Sequence, residues 1–305
     1  MMNYDEFKMA LQENLQKEYI GAQIAVESVN QINRTVEVMV IHMESPCAEQ
    51  GMYLPSIDLE DWFAEYEKTG ESCIGNIYKK ITDFLADETV CLRRSDCTDN
   101  NDGKNDLFIT LVNAEMNKDL LKDVPHRVFL DLAIICRKRI KIKEKEDYIA
   151  SLTVTNDLLA RWNITEDELF EMAAENTRKN YLTETFSLSA ISGLLCPDSQ
   201  GMGENCAYDM EVVTNKRKYE GAVNALVFHD GLREIADKMD SDLFILPSSR
   251  HEVLCISSEL GDVESLYEMV RSVNDDPAFI SQKDILSNNV YYYDRENDEI
   301  SIAEC

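Results

Sequence analysis

Strand-forming segments follow one another along this chain more often than they alternate with helical segments. A parallel pairing needs a long crossover between its strands, usually a helix, whereas antiparallel strands can be joined by short turns. The order of segments therefore predicts an α+β fold with mixed, mainly antiparallel sheets and flanking helices, rather than a doubly wound sheet. With 305 residues, of which 44% are hydrophobic, the chain is long enough to bury a substantial core.

The sequence pattern over residues 1–92 predicts an N-terminal module with the element order α-β-β-α-α. Asn3 can cap an opening amphipathic helix, because a glutamate follows three positions later. Alternating residues at 23–30 and 35–42 then predict a β-hairpin. Two helices complete the module, the second with apolar residues at helical spacing over 74–85.

A polar segment at 93–106 separates this module from the rest of the chain. It contains an Asp-Gly pair, typical of a tight turn, and predicts a linker or loop. Residues 107–305 form the predicted C-terminal α+β domain. Its predicted strands lie at 107–112, 129–143, 148–155, 210–215, 222–228, 243–246, 252–257, 289–294 and 299–302, and its predicted helices at 229–239, at 262–273 and after Thr165.

The chain is strongly acidic, with 30 Lys and Arg residues against 58 Asp and Glu residues and a formal net charge of −28. Nucleic-acid binding draws its affinity from clustered basic side chains that neutralise phosphates, so this charge disfavours a nucleic-acid partner. The longest apolar runs fall short of the roughly 20 residues that cross a membrane. No membrane association is therefore expected.

The cysteines and the N-terminus predict a cytoplasmic protein. Nine cysteines, an odd number dispersed over a long chain, are typical of reduced thiols rather than of a disulfide framework. The N-terminus is polar and acidic, without the basic start and apolar stretch of a secretory signal.

Neither a cofactor nor a metal site is predicted. The acidic loop near residue 100 fails the EF-hand register at its first and twelfth positions, where calcium needs carboxylates. The phosphate-binding and dinucleotide-binding glycine loops and the hydrolase nucleophile elbow have no match in the sequence. The closest cysteine sets lack the usual spacing of a zinc site, and a site assembled from two loops is the alternative. Those cysteines are Cys91, Cys97, Cys196 and Cys206.

Residues 137–143 are the densest positive segment of the chain. In a strand, Arg139, Lys141 and Lys143 would share one face. One interpretation is a solvent-exposed strand whose lysines protect a sheet edge. The alternative is a contact for an anion or an acidic partner.

The strongest concentration of chemically capable groups is the predicted loop at 247–252. Its imidazole could act as an acid or a base, and its hydroxyls could act as nucleophiles. Neighbouring residues in an extended chain point to opposite faces, however, so the imidazole and the carboxylate would not orient each other. Serines also cap turns readily, and a structural turn is the alternative. The catalytic candidates are Ser248, Ser249, His251 and Glu252, and the ligand-binding candidate is Arg250.

Three asparagines lie at the ends of predicted elements and are further ligand-binding candidates. An asparagine at such a position commonly satisfies loose backbone groups, and a shared polar pocket is the alternative. These residues are Asn113, Asn117 and Asn215.

Five segments resemble an uncharacterised bacterial family, labelled as domain of unknown function 5688, of gut Clostridia and allied Firmicutes. The resemblance spans nearly the whole chain and implies a shared fold and a bacterial cytosolic setting. It implies no activity and no catalytic residues. The segments are LVNAEMNKDLLKDVPHRVFLDLAI at 111–134, VTNDLLARWNITEDELFEMAAENT at 154–177, VVTNKRKYEGAVNAL at 212–226, LPSSRHEVL at 246–254 and LSNNVYYYD at 286–294.

The absence of strong catalytic motifs favours a non-enzymatic cytosolic protein that binds a protein partner or a small ligand. The alternative is an enzyme that uses the 247–252 loop for acid–base or nucleophilic chemistry. The sequence leaves the oligomeric state undetermined.

Overall fold

A computed structural model describes residues 2–43, 52–53, 57–69, 74–86, 92–93, 104–140, 150–188, 210–247, 249–260 and 262–304. The helices within these ranges are α1 (Tyr4–Glu18), α2 (Leu59–Thr69), α3 (Ile74–Ala86), α4 (Asn156–Trp162), α5 (Glu166–Asn180), α6 (Ala222–Leu226), α7 (Leu232–Met239) and α8 (Val263–Asp275). Short 3-10 turns occur at Lys104–Asp106, Leu120–Lys122 and Gln282–Asp284.

The strands are β1 (Ala22–Gln31), β2 (Arg34–Met43), β3 (Met52–Tyr53), β4 (Ile57–Asp58), β5 (Leu92–Arg93), β6 (Leu107–Asn113), β7 (His126–Phe129), β8 (Leu132–Ile140), β9 (Ala150–Thr153), β10 (Thr183–Ser187), β11 (Glu211–Asn215), β12 (Leu243–Leu246), β13 (Val253–Ser257), β14 (Tyr291–Asp294) and β15 (Glu299–Ile302).

The strands form one six-stranded sheet and three smaller sheets. The large sheet has the order β10-β11-β13-β12-β14-β15, and a four-stranded sheet is built from β6-β8-β7 with β9 also paired to β8. The N-terminal part contributes the sheets β1-β2-β4 and β3-β5. Each pairing between these strands is antiparallel. The predicted α+β class, with mainly antiparallel sheets and flanking helices, is confirmed.

The opening helix begins where the sequence predicts. The Asn3 side chain accepts a hydrogen bond from the Glu6 N–H, and the Glu6 carboxylate accepts one from the Asn3 N–H. This reciprocal pair satisfies two backbone donors at the helix start. Phe7 and Leu11 of α1 are buried against the β1–β2 hairpin and against Tyr66 of α2. Side chains of this size contribute roughly 1.5–3 kcal/mol each on full burial.

The largest hydrophobic cluster joins the four-stranded sheet to the six-stranded sheet. Leu111 of β6 and Ile245 of β12 belong to it, and Phe170 of α5 covers it. Cys136 and Cys255 are free thiols in this core. Burial raises the pKa of both thiols well above the usual value for cysteine. These two cysteines therefore act as small hydrophobic side chains.

One predicted strand is wrong in part and another is wrong altogether. The strand predicted at 129–143 begins as a hairpin, in which β7 turns into β8 at Leu130 and Asp131. Leu130 has a φ of 52°, a conformation that leucine rarely adopts. The turn also lacks an Asn-Gly or Asp-Gly pair, so the sequence gives no sign of a hairpin at this point. The strand predicted at 222–228 is helix α6, whose five residues are all buried. A short run of apolar residues occurs both in buried strands and in buried helices, so the hydrophobic pattern alone does not distinguish the two.

The linker predicted at 93–106 falls mostly outside the described residues, because residues 94–103 are among those not described. The same holds for Lys141 and Lys143 and for the four cysteines of the zinc alternative. Among the described residues, no helix is long and apolar enough to span a membrane. No group of metal-ligating side chains occurs in that part of the chain either.

Candidate functional site

The 247–252 loop joins β12 to β13 and is held against the 3-10 turn that precedes β14. Ser249 forms a β-bridge with Ile285. The Arg250 N–H donates a hydrogen bond of 3.0 Å to the carbonyl of Asp284. The described part of the loop is therefore fixed by its backbone, and the side chains of Ser249, Arg250 and His251 occupy defined positions. Ser248 lies outside the described residues.

Arg250 lies between two carboxylates and its side chain is only 11% exposed. Its Nε atom donates to Asp284 Oδ1 over 3.1 Å, and its Nη1 atom lies 3.1 Å from Glu220 Oε1. The Nη1 contact is an ion pair without hydrogen-bond geometry. Burial opposes the charge of Arg250, but the two carboxylates outweigh burial and raise the pKa of Arg250. Arg250 therefore stays charged and joins two parts of the chain.

Glu220 is the most deeply buried carboxylate of this network, with 2% of its side chain exposed. Thr110 of β6 donates its hydroxyl to Glu220 Oε2, and Arg137 of β8 places Nη1 3.5 Å from Oε1. A buried charge is tolerated only when it is paired and hydrogen-bonded, as here. Glu220 also has a φ of 56°, which is uncommon for a residue with a side chain.

The His251 ring is held on both of its nitrogens. The backbone N–H of Glu220 donates to Nδ1 over 3.2 Å, and Nε2 lies 3.2 Å from Asp284 Oδ1. Because Nδ1 accepts, the proton is assigned to Nε2, which then donates to Asp284. Burial alone would raise the pKa of Asp284, but His251 and Arg250 outweigh it and lower that pKa. The imidazole is thus a positioning group between Glu220 and Asp284.

The remaining catalytic candidates do not form a nucleophile–base pair in the described contacts. Ser249 is 7% exposed, and its Oγ accepts a hydrogen bond from the His251 backbone N–H. Glu252 is half-buried in the first position after the loop turn. The loop therefore brings Arg250 and His251 into one network through Asp284, while Ser249 holds the turn itself.

The three candidate asparagines have their side chains engaged within the protein. Asn113 donates to the Leu286 carbonyl over 3.0 Å and accepts from the Met116 N–H. The Asn117 side-chain amide donates to Asn33 Oδ1. Asn215 closes the turn after β11, because its Nδ2 donates to the Tyr219 carbonyl and its Oδ1 accepts from the Arg217 N–H. These contacts are of the kind that satisfies loose polar groups, the common role of such asparagines, rather than those of a shared polar pocket.

The sequence did not single out Glu220 and Asp284, the two carboxylates on which the network depends. Glu220 follows the Lys-Arg-Lys turn and looks like an exposed residue. The one available signal is the next residue, Gly221. A Cβ atom built there would lie 2.3 Å from the His251 carbonyl oxygen, so only glycine fits where these two segments touch.

A basic face lies beside the network, formed by Arg137 and Arg139 of β8 and residues 216–218 of the turn after β11. Arg137 and Arg139 point to the same side of the sheet as Phe108, which lies opposite Arg137. Lys138 points to the other side, where its Nζ atom lies 5.7 Å from the Trp162 ring centroid. Arg137 links the two segments, because its Nη1 atom donates to the Tyr219 hydroxyl over 3.2 Å.

The molecule is thus an α+β protein with a buried network of arginine, carboxylate and histidine beneath a basic face. Residues 4–295 match the family described as Family of unknown function (DUF5688). The chain belongs to this family. No curated protein matches the chain, and no solved structure matches it.

Proposed function

We propose that this chain is a non-enzymatic cytoplasmic protein that binds an anionic group, carried by a small ligand or an acidic protein segment, at its basic face. The observation that carries the proposal is the convergence of two cationic segments in a chain with a net charge of −28. Arg137 and Arg139 are distant in sequence from residues 216–218, and the Arg137–Tyr219 contact brings the two segments together.

The cationic groups of the turn are available to a ligand. Lys216, Arg217 and Lys218 are exposed. Neither lysine forms an ion pair with a residue that the structure describes. An isolated positive patch on an acidic surface attracts anions and repels competing cationic partners. This supports recognition of an anion over the interpretation of a merely solvated strand face.

The state of His251 supports binding rather than catalysis. A general base needs a ring nitrogen within reach of a substrate proton. Both nitrogens of His251 already have partners in Glu220 and Asp284. An enzyme that used His251 as its general base would have to free one of these ring nitrogens for the substrate.

The cysteines support a cytoplasmic location. Cys136 and Cys255 are free thiols within the core. The chain has nine cysteines, an odd number that cannot pair completely within the chain. Free thiols persist in a reducing compartment.

The direct test is a calorimetric titration of the full chain with a peptide of ten glutamates and, separately, with citrate. We expect binding that weakens as salt is raised, because salt screens exposed charges. The double variant Lys216→Glu with Lys218→Glu should weaken binding of the recognised probe by tenfold or more. The matched control, Lys118→Glu with Lys122→Glu, changes the net charge equally at two exposed lysines elsewhere.

Equal weakening by both double variants would contradict the proposal, because the effect would then reflect net charge alone. Failure of both probes to bind the wild-type chain at low salt would also contradict it.

A further inference from the structure

Three buried hydrogen-bond donors at the basic face and directly beneath it have no acceptor among the described residues. They are the Nε atoms of Arg137 and Arg139 and the hydroxyl of Tyr181. Tyr181 is 3% exposed, so its hydroxyl is deeply buried. Buried donors are almost always paired, and an unpaired one costs about as much as a lost hydrogen bond. Three such donors in one place need a common explanation.

The three donors belong to one group of packed side chains. Phe108 lies between two tyrosines, with ring centroids 5.5 Å from Tyr181 and 6.2 Å from Tyr219. Arg137 is directly opposite Phe108 in the β6–β8 register, and Arg139 is the next residue on the same face. We call Arg137, Arg139, Tyr181 and Tyr219 the arginine–tyrosine site.

The site connects with the surface. The side chains of Arg137 and Arg139 are 14% and 24% exposed, and Tyr219 is half-buried. Ser151 of β9 lies opposite Arg139, and its hydroxyl is 3.4 Å from the Tyr219 hydroxyl. These half-buried hydroxyls form a polar rim through which a ligand head group would enter.

The electrostatics of the site favour an anion. Arg137 is paired with Glu220, and Arg139 with Asp106 at 3.0 Å. Arg217 adds a third guanidinium, whose Cζ lies 5.7 Å from the Tyr181 ring centroid. Glu220 also pairs with Arg250, which in turn pairs with Asp284. Four guanidinium groups therefore face three carboxylates, which leaves one positive charge uncompensated.

The pKa of Tyr181 reflects both its burial and the nearby positive charge. Burial raises the pKa of Tyr181 to about 12, and the nearby charge of Arg139 acts in the opposite direction. The phenol therefore keeps its proton at neutral pH and can serve as a hydrogen-bond donor.

We propose that the arginine–tyrosine site binds the phosphate group of a small phosphorylated molecule, with Arg137 Nε, Arg139 Nε and the Tyr181 hydroxyl as donors. This inference rests on the proposed function and names its ligand class. A phosphate group offers three strong acceptor oxygens, which matches the three unpaired donors. A carboxylate accepts through two oxygens that lie in one plane, so it does not offer a separate oxygen to each of the three donors. Arginine is also the residue best suited to phosphate.

The test uses inorganic phosphate as the probe, with succinate at equal ionic strength as the carboxylate comparison. Binding to the full chain is followed by calorimetry and by ³¹P NMR line broadening. We expect phosphate to bind at least tenfold more tightly than succinate. Tyr181→Phe should weaken phosphate binding by roughly tenfold or more, because a hydrogen bond to a charged group is lost.

Two further variants make the result specific. Tyr78→Phe, in the N-terminal part of the chain, is the matched control and should leave phosphate binding unchanged. Arg139→Lys keeps the charge but removes the Nε donor, so it should also weaken binding. This second variant keeps the inference testable if Tyr181→Phe disturbs the fold, which circular dichroism would show.

The outcomes separate this inference from the proposed function. If the glutamate peptide binds but phosphate does not, the phosphate inference fails and the basic face retains its role. If phosphate binds equally well to wild type, Tyr181→Phe and Arg139→Lys, it is an adventitious ion only and the inference fails. If succinate binds as tightly as phosphate, the assigned ligand class is wrong. If neither phosphate, peptide nor citrate binds, both proposals fail.

Discussion

Asn33 and Asn117 hold each other by two hydrogen bonds across 84 positions of sequence. The Asn33 N–H donates to Asn117 Oδ1, and Asn117 Nδ2 donates to Asn33 Oδ1, each over 2.7 Å. Asn33 Nδ2 also donates to the carbonyls of Gln282 and Ile285, which flank Asp284. The turn of the N-terminal hairpin is thereby attached to the segment that positions Asp284 in the buried network.

Replacing Asn33 with glycine should destabilise the chain by about 2–3 kcal/mol, because three side-chain hydrogen bonds are lost while the positive φ is kept. Urea unfolding measures the change. Asn163→Gly is the matched control, since Asn163 also has a positive φ but is exposed. A loss within 0.5 kcal/mol for Asn33→Gly, the ordinary range for a surface change, would show that the contact does not stabilise the fold.

Replacing Gly221 with alanine should cost about 2–4 kcal/mol, as overpacking of a close contact does. The added Cβ would lie 2.3 Å from the His251 carbonyl oxygen and 2.8 Å from the Thr214 Cα, and neither backbone atom can move alone. Thermal unfolding checks this.

The control for this substitution is Gly75→Ala. Gly75 lies in α3, and no atom is within 4 Å of the position where a Cβ would be built. This change should stabilise the chain by up to about 1 kcal/mol, because alanine has the higher helix propensity. Equal effects of the two substitutions would contradict the close approach at Gly221.

Asp284 should make stability depend on pH in the acid range. The pKa of Asp284 is lower in the folded chain than its unfolded value near 3.9. Its stabilising contribution is therefore complete above about pH 4 and is lost as pH falls towards the folded pKa. The stability difference between wild type and Asp284→Asn, followed by urea unfolding from pH 7 to pH 2.5, should be constant at first and shrink below pH 4. A difference that grows on acidification would contradict this sign.

Cys136 and Cys255 should resist alkylation in the native chain. Burial raises the pKa of both thiols and keeps them protonated, whereas thiolates are the reactive form. Iodoacetamide treatment at pH 8 followed by peptide mapping should find both residues unmodified without denaturant and modified in 8 M urea. Rapid native labelling of either residue would contradict its position in the core.

Local signals in the sequence predict much of the fold, because each depends on a few neighbouring residues. The capping boxes at Asn3 and Thr165 fix the starts of α1 and α5 as predicted. The hairpin of β1 and β2 follows from alternation in the same way. The turn at Leu130 could not be predicted, because its positive φ is imposed by the pairing of β7 with β8 rather than by the residue itself.

The candidate site was predictable only in part, for a related reason. Arg250 and His251 stand next to each other and draw attention in the sequence. Their partners Glu220 and Asp284 lie 31 and 33 positions from His251 and have no local signature. These residues come together because separate strands pair. The residue pattern within one segment does not predict which other segment it pairs with.

The basic face is expected to bind an anion. Hydrogen–deuterium exchange of the full chain, with and without a saturating amount of the probe that binds in calorimetry, whether the glutamate peptide, citrate or inorganic phosphate, tests this expectation most directly. We predict slower exchange on anion binding in the turn at 216–221, which follows β11 and has few sheet hydrogen bonds of its own. Unchanged exchange in this turn, together with protection elsewhere in the chain, would contradict the claim.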